Sequence, residues 1–267
     1  MNHPIHFVSL GPGDPELITL KGLKTLQKAD IIYCPATQGK HGIISRATDI
    51  LKAIEVDESL IHPFILPMSK ERTDALNAYN ELFLDAQAEY LKGKQIVIVA
   101  EGDAGFYSSI QYVYDKFEET GIPVDRIAGI PAFIAAGALA GIHIVKQEEQ
   151  INVIPGTASF DELSAKIENG MIIVIMKLPG CQEAIHTCIR QYADKAVFHY
   201  FENVGTRKEY YTTDIATIHS KDFPYFSLLI NAARRVTKPG QPILLRYMQY
   251  MLKLIDMETK CIHIRFH

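Results

Sequence analysis

The chain has 267 residues, of which 48% are hydrophobic and 22% are charged, and its formal net charge is -4. These values are ordinary for a globular protein of one large or two small domains. They give no reason to expect a nucleic-acid partner, which would favour a basic surface, and no apolar run approaches the about 20 residues of a membrane-spanning helix.

The four cysteines, Cys34, Cys181, Cys188 and Cys261, are scattered and form no C-x-x-C pair. The ten histidines show no H-E-x-x-H spacing, so the sequence indicates no metal site. Sparse thiols are typical of a reduced compartment, and residues 1–7 lack the basic and then apolar pattern of a signal peptide. We therefore expect a cytoplasmic protein without a metal.

In the first half of the chain, β-rich runs alternate with helical runs. The strand His6–Leu10 leads through a glycine loop into a helix that Asp14 caps and Pro15 begins, with Leu17, Leu20, Leu23 and Leu26 on one side. This succession predicts a parallel sheet with helices on its faces. The other predicted elements are strands at Ile31–Cys34, Gln95–Ala100 and Val124–Ala128, and helices at Thr73–Leu91, Tyr107–Phe117 and Pro131–Leu139.

The polar stretch Lys146–Gln150 interrupts this rhythm and is the candidate domain boundary. We predict an α/β protein with domains at 1–147 and 148–233, and a tail at 234–267 in which Ile243–Ile255 could form an amphipathic helix. The last two predicted strands should pair antiparallel with their neighbours. The predicted elements of the second domain are strands at Ile151–Ile154, Met171–Met176, Ala196–Phe201, Glu209–Thr213 and Tyr225–Ile230, and helices at Phe160–Ile167 and Gln182–Tyr192.

Five segments at predicted strand ends could carry chemistry, because ligands of open α/β sheets bind beyond the carboxyl ends of the strands. The first, G-P-G-D-P, lacks both the third glycine of the dinucleotide fingerprint and the G-K-[ST] of a P-loop. Taken singly, each segment is equally explained as a capped turn, an ordinary loop or core. The five are Leu10–Pro15, Ala100–Tyr107, Gly129–Phe133, Met176–Lys177 and Pro224–Leu229.

In this order and at these spacings, the five segments resemble the tetrapyrrole methylase family over residues 5–231. The resemblance implies two α/β domains with the active site in the cleft between them, S-adenosylmethionine as cofactor, a tetrapyrrole substrate and a homodimer. In the family the G-P-G-D loop lies on the substrate side, which implies Gly13 and Asp14 as substrate contacts. The implied cofactor contacts are Pro12, Glu101, Gly102, Asp103, Phe106, Tyr107, Pro131, Ala132, Met176, Asn203, Ser227 and Leu228.

Further details resemble the members that methylate C20 of precorrin-2 or cobalt-factor II in corrinoid synthesis. They are Ser45–Ala47, Phe64–Met68, Phe106–Ser108 and Pro224–Leu228. The chain departs from the family pattern at Ala104, where relatives commonly have proline, so this loop should be less rigid.

The chemistry implied by the resemblance needs little activation of the nucleophile, since the C20 meso carbon is electron-rich. Alignment of the reactants can contribute roughly 7–11 kcal/mol. A base is needed only to remove the C20 proton, and Asp14 is a candidate. Because the substrate carries carboxylates, cationic side chains could bind them, although each is equally explained as a surface charge. The candidates are Arg46, Lys70, Arg72 and Lys177.

Other functions stay open from the sequence. Within the class, the chain could methylate another tetrapyrrole position or act as a diphthine synthase. It could also be a non-catalytic binding protein on the same fold. An oxidoreductase on a dinucleotide fold is disfavoured by the missing third glycine.

Overall fold

The computed structural model describes residues 3–40, 42–67 and 72–233 of the chain. The predicted tail at 234–267, with its segment Ile243–Ile255, lies outside the described residues. So do Met68, Lys70 and the side chain of Arg72.

The first sheet contains six strands and is built around a parallel core. Its order is β3-β2-β5-β1-β6, β4 also pairs with β2, and only β3 is antiparallel to its neighbour. The run Ile96–Ala100 is buried throughout, as expected for a central strand covered on both faces. The strands are β1 (Ile5–Ser9), β2 (Ile31–Gly39), β3 (Gly42–Ile44), β4 (Ile61–Ile65), β5 (Ile96–Ala100) and β6 (Val124–Ile127).

Five α-helices lie among the described residues of this half of the chain: α1 (Leu20–Leu26), α2 (Arg46–Ala53), α3 (Arg72–Leu91), α4 (Gln111–Glu119) and α5 (Ala132–Leu139). The predicted long helix is confirmed as α3. Its apolar stripe packs on the sheet through Tyr79, Phe83 and Tyr90, which are at most 8% exposed. Full burial of one such side chain contributes about 1.5–3 kcal/mol, so this face anchors the helix.

The second sheet contains five strands in the order β10-β9-β11-β8-β7. Strands β7 and β8 are parallel, and β11 runs antiparallel to both β8 and β9, as does β10 to β9. The antiparallel pairing predicted for the last two strands is thus confirmed. The elements are β7 (Ile151–Pro155), α6 (Phe160–Glu168), β8 (Ile172–Met176), α7 (Gln182–Tyr192), β9 (Ala196–Glu202), β10 (Tyr210–Thr212), α8 (Ile215–Ser220) and β11 (Ser227–Ala233).

The predicted start of the helix after the glycine loop is wrong. Asp14 caps only one 3-10 turn, Pro15–Leu17, because Ile18 is extended and interrupts the helix. Helix α1 begins afresh at Leu20, where the Thr19 side chain accepts a hydrogen bond from a backbone N–H. The break rotates the apolar stripe, and Leu20, expected to face the core, is 65% exposed.

The helix predicted from Tyr107 also begins later, at Gln111. Tyr107 has a φ of 49°, a left-handed conformation that cannot belong to a right-handed helix. Strand β2 continues well past the predicted end at Cys34, because its second half pairs with β3 and β4. Among the described α-helices and strands, α2, α8, β3 and β4 were not predicted from the sequence.

The α/β fold class is confirmed, with one sheet on each side of the predicted boundary between residues 147 and 148. The two sides also share a hydrophobic cluster in which Phe133 of α5 packs with Ile172, Phe201 and Leu228. The position of the boundary stays a prediction. None of the helices in the described ranges is long and apolar enough to cross a membrane.

Candidate functional site

The loops after β1 and β5 lie side by side. Gly11 and Gly102 exchange two backbone hydrogen bonds of 3.1 and 2.7 Å, which form an isolated antiparallel bridge. Both have left-handed φ values, +81° and +68°, which glycine adopts without strain. A Cβ atom at Gly102 would meet no atom within 4 Å. The backbone therefore borders open space at this point, as a ligand-binding turn requires.

A buried network fixes the position of this turn. The Ser9 hydroxyl donates to the carbonyl of Ile127 at 2.7 Å and accepts the N–H of Ala104 at 2.8 Å. The two Asp103 oxygens accept the N–H groups of Gly105 and Gly129 at 2.8 and 2.7 Å. The carboxyl ends of β1, β5 and β6 are thus joined. A proline in place of Ala104 could not donate this bond, so the departure from the family pattern has a local compensation.

The loop between β9 and β10 packs directly on the G-P-G-D loop. A Cβ atom at Gly205 would lie 2.7 Å from the backbone nitrogen of Asp14. On the other side, a Cβ atom at Gly13 would lie 2.9 Å from Cγ2 of Thr206. These approaches leave no room for side chains, so they account for the glycines and bring the edges of the two sheets together.

Arg46 connects three of these segments. Its guanidinium lies 4.0 Å from the ring centroid of Phe226, 3.9 Å from a carboxylate oxygen of Glu101, and donates to the carbonyl of Pro12 at 3.5 Å. Ser45 positions it by capping the start of α2. Burial lowers the pKa of Arg46, which the Glu101 charge opposes, and burial raises the pKa of Glu101, which Arg46 opposes.

Tyr107 and Lys177 also link the loop after β5 in the first sheet to the second sheet. The Tyr107 hydroxyl donates to the carbonyl of Val153 in β7 at 2.9 Å, and Nζ of Lys177 donates to the carbonyl of Tyr107 at 3.1 Å. Lys177 also lies 5.9 Å from the ring of Tyr225. In this structure Arg46 and Lys177, both predicted substrate contacts, are already bonded to protein groups.

Three of the residues named by the resemblance have strained backbones. Among the described residues, four that are not glycine have positive φ values, and three of them, Tyr107, Lys177 and Asn203, follow strands at this edge. Such conformations cost about 1–3 kcal/mol and cluster at functional sites. This concentration of strain supports the assignment of the site.

The apolar part of the predicted cofactor site is also assembled. Phe106 packs with Phe133 at a centroid separation of 5.8 Å, and Ala132 and Met176 contact the same cluster. Pro131 precedes α5, Leu228 pairs with Met176 across β11 and β8, and buried Ser227 begins β11. The N–H of Asn203 donates to the carbonyl of Phe226 at 2.9 Å.

Asp14 is less suited to the predicted role of base. One of its carboxylate oxygens accepts the N–H of Glu16 at 2.9 Å and thereby caps the 3-10 turn. Ser9 and Thr206 were not predicted as site residues, and Phe226 was predicted only as a member of the segment Pro224–Leu229. Ser9 has a signal in the sequence, a hydroxyl within an otherwise apolar strand, whereas the contacts of Thr206 and Phe226 depend on long-range packing.

No metal site accompanies these loops: the described ranges contain no group of three or more His, Cys, Asp or Glu residues that could hold an ion. A cavity of about 240 Å³ lies elsewhere, at the opposite end of the second sheet, between Glu168, Tyr192, Lys195 and Asn231. It touches none of the segments that the sequence analysis singled out.

Known proteins similar to this chain fall into one family. The family model described as Tetrapyrrole (Corrin/Porphyrin) Methylases matches residues 4–219. A precorrin-2 C(20)-methyltransferase of Sinorhizobium sp is 32% identical over 232 residues, which cover 84% of this chain and 92% of the relative. A probable cobalt-precorrin-2 C(20)-methyltransferase of Methanocaldococcus jannaschii is 30% identical over 181 residues, or 68% of this chain and 75% of the relative.

A solved structure shares the fold. The uroporphyrin-III C-methyl transferase of Thermus thermophilus, complexed with S-adenyl homocysteine, superimposes with a TM-score of 0.58 at 17% identity. The match covers 86% of this chain and 97% of that one.

Proposed function

The chain belongs to the tetrapyrrole (corrin/porphyrin) methylase family, and from this premise we propose that it methylates C20 of precorrin-2 or cobalt-factor II with S-adenosylmethionine. The observation that carries the proposal is the convergence of the five segments at one edge, where the two sheets meet. The names of the two relatives, both of them C20 methyltransferases, support the position on the substrate.

The cofactor would lie on the open side of the Gly102 turn, where an added Cβ would meet no atom within 4 Å. When bound there, S-adenosylmethionine supplies a methyl group on a positively charged sulfur. Around it, the backbone of residues 101–103 offers hydrogen-bonding groups, and Phe106 and Met176 offer half-buried apolar surface. Asp103 keeps the turn in place through its two backbone hydrogen bonds.

The tetrapyrrole would lie against the G-P-G-D loop, with its carboxylates near Arg46 and Lys177. These cations are held by protein carbonyls and aromatic rings in the structure. They can therefore serve as fixed charges that orient the substrate without a large entropic cost. Such positioning is the main requirement of a transfer to an electron-rich carbon.

We also propose that the protein is a cytoplasmic homodimer. The three described cysteines, Cys34, Cys181 and Cys188, are buried and free, which suits a reducing compartment. Ile43 and Ile44 in the β3 strand are each 59% exposed and provide apolar surface for a second copy. Light scattering of the purified chain would test the dimer.

Calorimetry tests the proposal first at the level of the cofactor. We expect S-adenosylmethionine and S-adenosylhomocysteine to bind and NADH not to bind. The protein is then incubated with S-adenosylmethionine and either precorrin-2 or cobalt-factor II, and the products are analysed by mass spectrometry. A product heavier by one CH2 unit, as expected when a methyl group replaces a hydrogen, supports the proposal. Cofactor binding without turnover of either substrate would favour a diphthine synthase or a non-catalytic binding protein.

A further inference from the structure

Methylation of a meso carbon leaves one proton to remove. A carbon–carbon bond forms between the methyl group and C20 while the carbon–sulfur bond breaks, and the sulfur becomes a neutral thioether. C20 then carries both the methyl group and its original hydrogen, and the macrocycle carries a positive charge. A base must take that proton so that the carbon–hydrogen electron pair returns to the conjugated ring. The residue that does so has to be a free acceptor close to the G-P-G-D loop.

Most carboxylates at the meeting loops are already engaged. Asp14 accepts the N–H of Glu16, Asp103 uses both oxygens on backbone N–H groups, and Glu209 accepts the N–H of Gly205. Each therefore has a structural task that protonation would weaken.

Glu101 differs from these carboxylates. Within the part of the chain that the structure describes, its oxygens accept no hydrogen bond, and its nearest cation is Arg46 at 3.9 Å. It follows β5 directly and is adjacent to Gly102, which borders both the open space and the G-P-G-D loop. Its side chain is 26% exposed, so a proton taken up inside can leave to solvent.

We propose that the Glu101 carboxylate is the catalytic base that takes the C20 proton after methyl transfer, an assignment that rests on the proposed function. The charges that act on it come from one helix, α2: Arg46 favours the ionised form, and Asp49 disfavours it. Burial is the largest influence and raises the pKa of Glu101, which makes the carboxylate a stronger base than one in water.

The test compares Glu101→Gln, which keeps the shape and removes the basicity, with the wild-type enzyme and with Glu168→Gln, a control far from the loops. We expect kcat of Glu101→Gln to fall about 10²–10⁴-fold. The affinity for S-adenosylmethionine should stay unchanged, because residue 101 is proposed to contact the cofactor through its backbone. A deuterium isotope effect should appear with substrate labelled at C20. The rate of the wild-type enzyme should fall as the pH is lowered and Glu101 becomes protonated, and the rate of the variant should not show this fall.

A second variant distinguishes the loss of a base from a structural loss of activity. Formate should restore part of the activity of Glu101→Ala, because a small carboxylate can replace the missing base. Wild-type kcat and pH profile in Glu101→Gln would overturn the assignment, as would a loss of cofactor affinity that accounts for the whole loss of rate. An inactive wild type would instead overturn the proposed function, and the assignment with it.

Discussion

Removal of the Ser9 hydroxyl is expected to loosen the turn on which the cofactor site depends. Ser9 is fully buried, and its hydroxyl accepts the Ala104 N–H and donates to the Ile127 carbonyl. Ala104 and Ile127 are each 2% exposed. In Ser9→Ala the buried Ala104 N–H loses its partner, whereas the Ile127 carbonyl keeps its bond from the backbone of residue 9 in the β1–β6 ladder. One unsatisfied buried group costs about 1–3 kcal/mol, and we expect a loss of that size in the free energy of unfolding.

Urea unfolding measures this loss, with Ser59→Ala as the control, because Ser59 is exposed and its hydroxyl bonds only to Asp57. The control should change stability by less than about 0.5 kcal/mol. Calorimetry of Ser9→Ala should also show weaker binding of S-adenosylmethionine, since the turn at residues 101–105 loses one of the hydrogen bonds that hold it. Equal stabilities of the two variants would refute the role of the buried network.

The other predictions concern the turn, the contact between the sheets, and acid stability. Gly102 and Gly121 have similar φ values, +68° and +73°, and a Cβ atom added at either would meet no atom within 4 Å. Gly102→Ala and Gly121→Ala should therefore each lose about 1–2 kcal/mol in the free energy of unfolding. Only Gly102→Ala should show cofactor binding that calorimetry finds more than about tenfold weaker. Tyr107→Phe removes the bond to Val153 and should cost about 0.5–1.5 kcal/mol in urea unfolding; an unchanged midpoint would contradict the contact. Burial lowers the pKa of His199, so the unfolded chain takes up its proton first, near pH 6.5, and stability should fall as the pH drops below that value. Urea unfolding at about pH 7.5 and 5.5 should show a smaller fall for His199→Gln than for wild type.

Regular periodicity made most of the fold predictable from the sequence. The stripe of α3 and the wholly apolar β5 depend on local patterns that tertiary contacts do not override. The short elements were missed for opposite reasons: α2 has only eight residues, and β4 contains Pro63, which is tolerated because β4 pairs only with β2. The false start of the first helix came from Ile18, whose extended backbone has no signature in the sequence.

The candidate site was predictable only as a set of loops. Glycines at strand ends indicated where a ligand could approach, but not which side chains would become bonded to one another. Arg46 looked like a free cation in the sequence, yet it contacts Glu101 and, from 180 positions further along the chain, Phe226. Asp14, the predicted candidate base, also caps a 3-10 turn through one carboxylate oxygen. Such contacts arise from the packing of the two sheets, which no local pattern encodes.

The position of the transferred methyl group tests the central claim most directly. The enzyme is incubated with precorrin-2, or with cobalt-factor II, and S-adenosylmethionine labelled with carbon-13 in the methyl group, and the product is examined by NMR. We expect one labelled methyl on C20 and the loss of the C20 proton signal. A labelled methyl on any other carbon, or no labelled tetrapyrrole at all, would contradict the account.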